Sequence, residues 1–324
     1  GGRQDKTAVV LANDTRLGLV ALKFVATRDD ATRRRFEREV AMLSRVAHPN
    51  NVAAKALGKS SSNPLASSDE TLLVAVLEYV PGNTVDHYVR TLGTMGEHMV
   101  VKIAVDVLSG LQRAHQVGVT HRDVKCSNIV CEPKGLYVLT DFGIAAMQES
   151  AKSDVSSTMV TLTDEQRAPV GTPHYMSFEQ HTGQELDERT DLFSLGVVMY
   201  RCLSGKYPFG DGATNCQQIL VAMVTAPAAV RVPNTSDELA AVLAKALQKN
   251  AVDRYQTAQN MLNDLHPLAK REEREERKSR DEWRNRMERK IDSTGEKLGK
   301  KLDAVLSLQN HLVATSERSM EMLQ

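Results

Sequence analysis

Thr120-His121-Arg122-Asp123-Val124-Lys125-Cys126-Ser127-Asn128 puts an acid, a lysine two residues on and an asparagine five residues on within one short loop. Such a set suits phosphoryl transfer, in which a protein contributes positioning and charge rather than covalent chemistry. Asp123 can accept the proton of an attacking hydroxyl, and Lys125 can neutralise a migrating phosphoryl group. The amide oxygen of Asn128 can hold a divalent metal, because hard cations take oxygen ligands. A His-Arg-Asp triplet also occurs on inert surfaces. What sets this one apart is Asp141-Phe142-Gly143, eighteen residues after Asp123 and at the end of the apolar run Leu136 to Leu139.

His121 to Asn128 followed by Asp141 to Gly143 resembles the eukaryotic-like (Hanks-type) protein kinase family. Lys125 at its position, with Gly171-Thr172 ahead of Tyr175, is similar to the Ser/Thr branch. Asp14-Thr15-Arg16-Leu17-Gly18, Val20-Ala21-Leu22-Lys23 and Asp253-Arg254-Tyr255-Gln256-Thr257-Ala258 read closest to its bacterial-type members. The resemblance runs over roughly residues 1 to 266, with the motifs in order. It implies an α+β, bilobal protein kinase fold: a small β-rich N-lobe with one helix over about 1–80, and a larger, mainly helical C-lobe over about 81–267. It also implies ATP and Mg²⁺ (or Mn²⁺) as cofactors and protein Ser/Thr hydroxyls as substrates.

By that resemblance Lys23 orients ATP and pairs with a glutamate on the next helix. Glu39 fits, one residue before the apolar Val40, whereas Glu37 lies two further back and turned away. Asp123 and Lys125 act at the transferred phosphate, and Asn128 and Asp141 hold the metal. Val9 and Ala21 lie against the nucleotide, and backbone groups of Glu78 and Val80 bond adenine at a hinge where Leu77 limits the pocket. A glycine-rich loop should place glycines at positions 2, 4 and 7, where the chain has Gly2, Gln4 and Thr7. A missing glycine adds a Cβ where backbone N–H groups approach phosphate. This departure, and Phe178 in place of the family's proline before Glu179, support an alternative: a pseudokinase or scaffold that keeps the fold with little turnover. Glu179 itself is expected to pair with Arg254.

Local patterns agree with that frame. Ala8 to Ala12 and Leu19 to Val25 are apolar, β-branched runs split by a turn cluster, hence strands. Asp29 and Asp30 open a helix whose apolar positions are Phe36, Val40, Leu43 and Ala47. His48-Pro49 closes it, and 59–71 is a polar loop before the strand Leu72 to Leu77. Helices are predicted over Thr84 to Arg90, Glu97 to Val117, Gln217 to Val224, Ser236 to Gln248 and Tyr255 to Leu265, the last ending near His266-Pro267. Asp191 is placed to cap the helix it opens and to brace the catalytic loop, and Gly205 to close that helix. Residues 144 to 170 carry many hydroxyls (Ser150, Ser153, Ser156, Ser157, Thr158, Thr161, Thr163) where the family keeps its activation segment.

Composition narrows the remainder. The 324 residues carry 41 Lys+Arg and 41 Asp+Glu, so no charge excess points to nucleic acid or to a membrane surface. Four cysteines without metal-type spacing read as reduced cytoplasmic thiols. No apolar run reaches the roughly 18 residues of a membrane span. The first residue, Gly1, reads as a fragment or processed chain with a truncated N-terminus, which leaves membrane attachment by outside segments open. From Lys270 to Lys301 there are 13 Lys/Arg and 9 Asp/Glu, with Glu273–Arg277, Glu276–Arg280 and Glu282–Arg286 at helical spacing. Residues 268–324 therefore read as a charged tail, helical or partly disordered. Leu298, Leu302, Val305 and Leu312 leave self-association through this helix open beside a lone solvated one.

Overall fold

In a computed structural model, the structure describes residues 6–27, 30–60, 71–142, 173–225, 231–233 and 235–271, with positions 274, 278 and 282 beyond. The chain divides into two compact units, Gly1–Ala269 and Lys270–Gln324. The first begins with a four-stranded antiparallel sheet in the order β1-β2-β4-β3, made of β1 (Lys6–Asp14), β2 (Gly18–Thr27), β3 (Ala54–Ser60) and β4 (Thr71–Glu78). The turn between β1 and β2 is stabilised by Asp14, whose Oδ1 accepts the N–H groups of Arg16 at 2.8 Å and Leu17 at 2.9 Å. Helix α1 (Asp30–Arg45) lies between β2 and β3 in the chain and packs against β2, β3 and β4. Phe36, Val40 and Leu43 are buried as expected, but the next apolar contact is Val46 and not Ala47, which is exposed beyond the helix end.

A mainly helical region follows. It contains β5 (Asn83–Thr84), α2 (Val85–Leu92), α3 (Glu97–Gln116), β6 (Ile129–Cys131), β7 (Tyr137–Leu139), α4 (Phe178–Thr182), α5 (Arg189–Ser204), α6 (Cys216–Thr225) and α7 (Asp237–Ala246). Thr84 and Ser236 cap α2 and α7 by accepting N–H groups at their third positions. Ile103, Val107, Leu111 and Ala114 line one buried face of α3, and α5 is buried along most of its length, making these two helices the centre of the core. A last helix, α8, covers 258–271. It runs through Pro267 instead of stopping there. Ala258, Met261, Leu262, Leu265 and Leu268 form a buried stripe at helical spacing, while Pro267 sits on the exposed side.

The loop after α1 ties the sheet to the helical region. Asn50 donates from Nδ2 to Tyr137 O at 2.8 Å, and Leu139 N donates to Asn50 O at 2.8 Å. Asn51 donates from Nδ2 to Val46 O and Gly110 O. A Cβ at Gly110 would lie 2.2 Å from Asn51 Oδ1, so only glycine lets α3 approach this loop so closely.

Candidate active site

Two non-glycine residues among the described ones adopt a left-handed backbone, Arg122 (φ 63°) and Asp141 (φ 51°). That conformation costs on the order of 1–3 kcal/mol for such residues and persists where the surroundings hold it. Asp191 supplies the hold at Arg122. Its Oδ1 accepts Arg122 N at 2.7 Å, and its Oδ2 accepts His121 N at 2.8 Å and lies 2.8 Å from His115 Nε2. Asp191 braces the loop as expected, yet it does not cap α5. It lies inside the first turn, and Glu188 holds the N-cap position. Burial pushes its carboxyl up, but His115, His121 and the backbone N–H bond outweigh this and keep the pKa below the ordinary value.

His121 closes the loop on itself. Its Nε2 lies 3.1 Å from Thr140 O, so that nitrogen carries the hydrogen, and Nδ1 accepts Asp123 N at 3.2 Å. Complete burial lowers its pKa, which keeps the ring neutral and this tautomer in place at neutral pH. The ring packs against Phe142 with centroids 4.5 Å apart. Thr140 donates its N–H (2.8 Å) and its hydroxyl (3.2 Å) to Asn128 O, which brings the Asp141 end of β7 beside the catalytic loop.

The predicted residues gather in two clusters. In the first, Asn128 donates from Nδ2 to Asp123 O at 2.9 Å and Asp123 Oδ2 at 3.0 Å, while Lys125 Nζ lies 2.8 Å from the same Oδ2. The amide orientation of Asn128 leaves its Oδ1 as the atom available to a cation. In the second, Lys23 Nζ lies 3.3 Å from Asp141 Oδ1; the lysine is buried and the aspartate side chain 53% exposed. In the β1–β2–β4 register Val9 faces Lys23, Lys23 faces Ala75, and Ala21 faces Leu77. Cross-strand partners share a face, so Val9, Ala21, Lys23, Ala75 and Leu77 lie on one side, the side from which Lys23 reaches Asp141. Val9 is 61% exposed there.

Glu78 ends β4 and Val80 packs partly buried against the core just after it. The N–H of Glu78 is donated to Ala53 O at 2.8 Å. Glu39 lies in α1, but its side chain falls outside the described residues, as do Gly2, Gly143, Gly171-Thr172, and Thr161 and Thr163 with the rest of 143–172. Glu179 does pair with Arg254, through Nη1–Oε1 at 2.6 Å and Nη2–Oε2 at 2.8 Å. The two bridging asparagines and the tie from Gln180 Nε2 to Arg122 O at 3.0 Å were not foreseen from sequence. Apart from the local Asn51–Val46 bond, their partners are backbone groups 58 to 87 residues away, and no side-chain pattern encodes those.

Residues 5–266 match the family described as protein kinase domain. The chain belongs to the protein kinase family. This kinase is 34% identical over 270 residues to the probable serine/threonine-protein kinase PknB of Bifidobacterium longum, covering 82% of the chain and 38% of that protein. It is 36% identical over 262 residues to the serine/threonine-protein kinase PknB of Mycobacterium leprae (79% and 40%) and 34% identical over 264 residues to that of Mycobacterium tuberculosis (79% and 40%). The kinase thus spans about two fifths of the length of these curated relatives. Among its described residues no helix is long and apolar enough to cross a membrane.

Proposed function

We propose that this kinase transfers the γ-phosphoryl group of ATP to Ser/Thr hydroxyls of proteins, with Mg²⁺ as the metal. The observation that carries the reading is the convergence of Lys125 and Asn128 on one carboxylate oxygen of Asp123, together with a Lys23–Asp141 contact, within a matched kinase domain. The fold as proposed divides into an N-lobe to about residue 80, a C-lobe to 267 and a charged tail.

In this mechanism the Asp123 carboxylate, held by Asn128 and Lys125 through Oδ2, takes the proton of the substrate hydroxyl as the hydroxyl oxygen bonds to the γ-phosphorus and the bond to the ADP oxygen breaks. Lys125, already 2.8 Å from that carboxylate, stands where charge builds on the migrating group. Lys23 orients the nucleotide phosphates, with Glu39 as its proposed partner from α1. Val9 and Ala21 cover the base, Val80 offers its backbone, and Glu78, whose N–H is committed to Ala53, offers its carbonyl. Gly2 is assigned to the phosphates. The donor set fits a hard divalent cation: Asn128 Oδ1 and the half-exposed Asp141 carboxylate would hold Mg²⁺. Bound Mg²⁺ supplies charge neutralisation at the phosphate oxygens.

Free cysteines support placement in the cytoplasm, and the apolar positions of 298–312 support pairing of two chains as a subsidiary part of the reading. The test is incubation with radiolabelled ATP, Mg²⁺ and a Ser/Thr-containing protein beside an Asp141→Asn control. Label on Ser or Thr in the wild type alone is the expected result; equal label in both would sink the assignment.

A further inference from the structure

The peptide group joining Arg122 to Asp123 is pinned on both sides. Its N–H, on Asp123, is donated to His121 Nδ1 at 3.2 Å, and its carbonyl, on Arg122, accepts Gln180 Nε2 at 3.0 Å. Arg122 itself is left-handed (φ 63°), so this peptide is held away from the conformation the chain would adopt unaided. His121 belongs to the loop itself, and Asp191 supports the loop from α5. Gln180 comes from elsewhere, in α4, directly after the segment that follows Gly171.

The other end of the Gln180 amide is also engaged. Its Oε1 accepts Ser177 N at 3.0 Å, completing a capping box in which Ser177 Oγ accepts Gln180 N. Ser177 Oγ lies 2.8 Å from Thr190 Oγ1, whose hydrogen goes to Glu179 Oε1 at 2.8 Å. Glu179 is in turn gripped by Arg254. One carboxamide therefore bridges the buried Glu179–Arg254 assembly and the peptide that carries Asp123. A capping box needs only the acceptor, which glutamate provides equally well. The donor half is what a cap leaves unexplained.

We propose that Gln180 is a positioning residue for the catalytic base: its Nε2–H fixes the Arg122 carbonyl, and through that peptide the Asp123 carboxylate. The proposal rests on the phosphotransfer reading above and goes beyond it. A displacement near 1 Å at a reacting group can lower a rate by about 10²-fold.

The test uses the full chain with ATP, Mg²⁺ and a protein substrate, comparing Gln180→Glu, which keeps the cap acceptor and loses the donor, with Gln180→Lys, which keeps a donor and loses the acceptor. Gln180→Glu is expected to melt with the wild type, keep its KM for ATP, and lose roughly 10- to 100-fold in kcat. Gln180→Lys should retain more kcat than Gln180→Glu even where it melts earlier. A kcat for Gln180→Glu within twofold of wild type, or the reverse order of the two variants, overturns the proposal. Should Gln180→Glu fail to fold, Gln180→Lys decides: kcat within about threefold of wild type supports positioning, and a fall below a tenth overturns it. Wild-type protein without transferase activity would instead overturn the phosphotransfer reading.

Discussion

The Arg254 guanidinium closes a two-point fork on the Glu179 carboxylate, and the two side chains are only 0% and 9% exposed. The pair satisfies its remaining groups as well: Arg254 donates to Gln248 O and Lys249 O, and Thr190 donates to Glu179. Removing one partner strands a buried charge, which costs on the order of 3–5 kcal/mol. Arg254→Met or Glu179→Gln should therefore lower Tm by several degrees, since 1 kcal/mol moves Tm by roughly 2–4 °C in a domain of this size. Thermal melts followed by circular dichroism check this, and a shift under about 2 °C in both variants would contradict it.

The same pair sets an acid limit. Burial pushes the Glu179 carboxyl up, but the hydrogen bonds and charge of Arg254 outweigh it and hold the pKa below the ordinary 4.5. A depressed folded-state value gives stability that is present above the unfolded pKa and lost as pH falls through the folded one. Wild-type Tm should accordingly fall below about pH 4.5, and part of that fall should be missing in Glu179→Gln. Parallel Tm–pH curves for the two proteins would show that Glu179 does not titrate with unfolding.

Lys23 and Asp141 offer a different kind of change. Asp141 is half exposed and fills no core, and Lys23 reaches it from β2. Lys23→Met and Asp141→Asn should each cost about 10² or more in turnover, as expected for loss of a main electrostatic contributor, while melting stays near wild type. Unchanged turnover in either variant would remove that residue from the chemistry.

The clustering of the candidate residues was legible in sequence because it depends on side-chain types at short, fixed spacings: Asp123, Lys125 and Asn128 share one loop, and Asp141 lies two residues beyond β7. Elements with a strong period were legible for the same reason, as the four apolar positions of α3 illustrate. What sequence left hidden was decided by distant backbone. Asn50 and Asn51 carried no signal in the sequence, yet they donate to Tyr137 O and Gly110 O. Of the two roles read for Asp191, bracing the loop holds, but capping does not: its carboxylate is drawn to the two loop N–H groups, and Glu188 takes the N-cap position of α5. Pro267 looked like a stop; an interior proline costs about 3 kcal/mol, which burial of Leu265 and Leu268 on the opposite side offsets.

That helix also fixes where a shortened chain should end. Leu268 is 4% exposed and belongs to the core, and Ala269 packs against it. A chain ending after Ala269 should melt cooperatively and close to the full-length protein. One ending after Leu265 should lose the Leu268 contact, worth about 2 kcal/mol or more for a buried leucine, and melt several degrees lower. Equal melting of the two would place the boundary before Leu268, and an insoluble 1–269 chain would make residues beyond it part of the fold.

Arg122 is placed for control by phosphorylation. Its Nε is buried and has no hydrogen-bond partner among the described residues, and burial lowers the guanidinium pKa against the partial relief of Asp191. A partly desolvated cation next to Asp123, the proposed base, is a ready partner for a phosphate, which brings two negative charges and three acceptor oxygens. Thr163 and Thr161 stand eight and ten residues before Gly171, with Asp164 and Glu165 alongside as unmodified acids that can serve in part. Mass spectrometry after autophosphorylation should find phosphate on one of the two threonines. The Thr161→Ala/Thr163→Ala double variant should then lose at least about tenfold in activity, the usual scale of a coupling between such a charge and a two-state loop. Phosphatase treatment should lower the wild type to the same level and leave Arg122→Gln unaffected. Full activity of the double alanine variant would exclude both threonines and assign the pairing with Arg122 to Asp164 or Glu165.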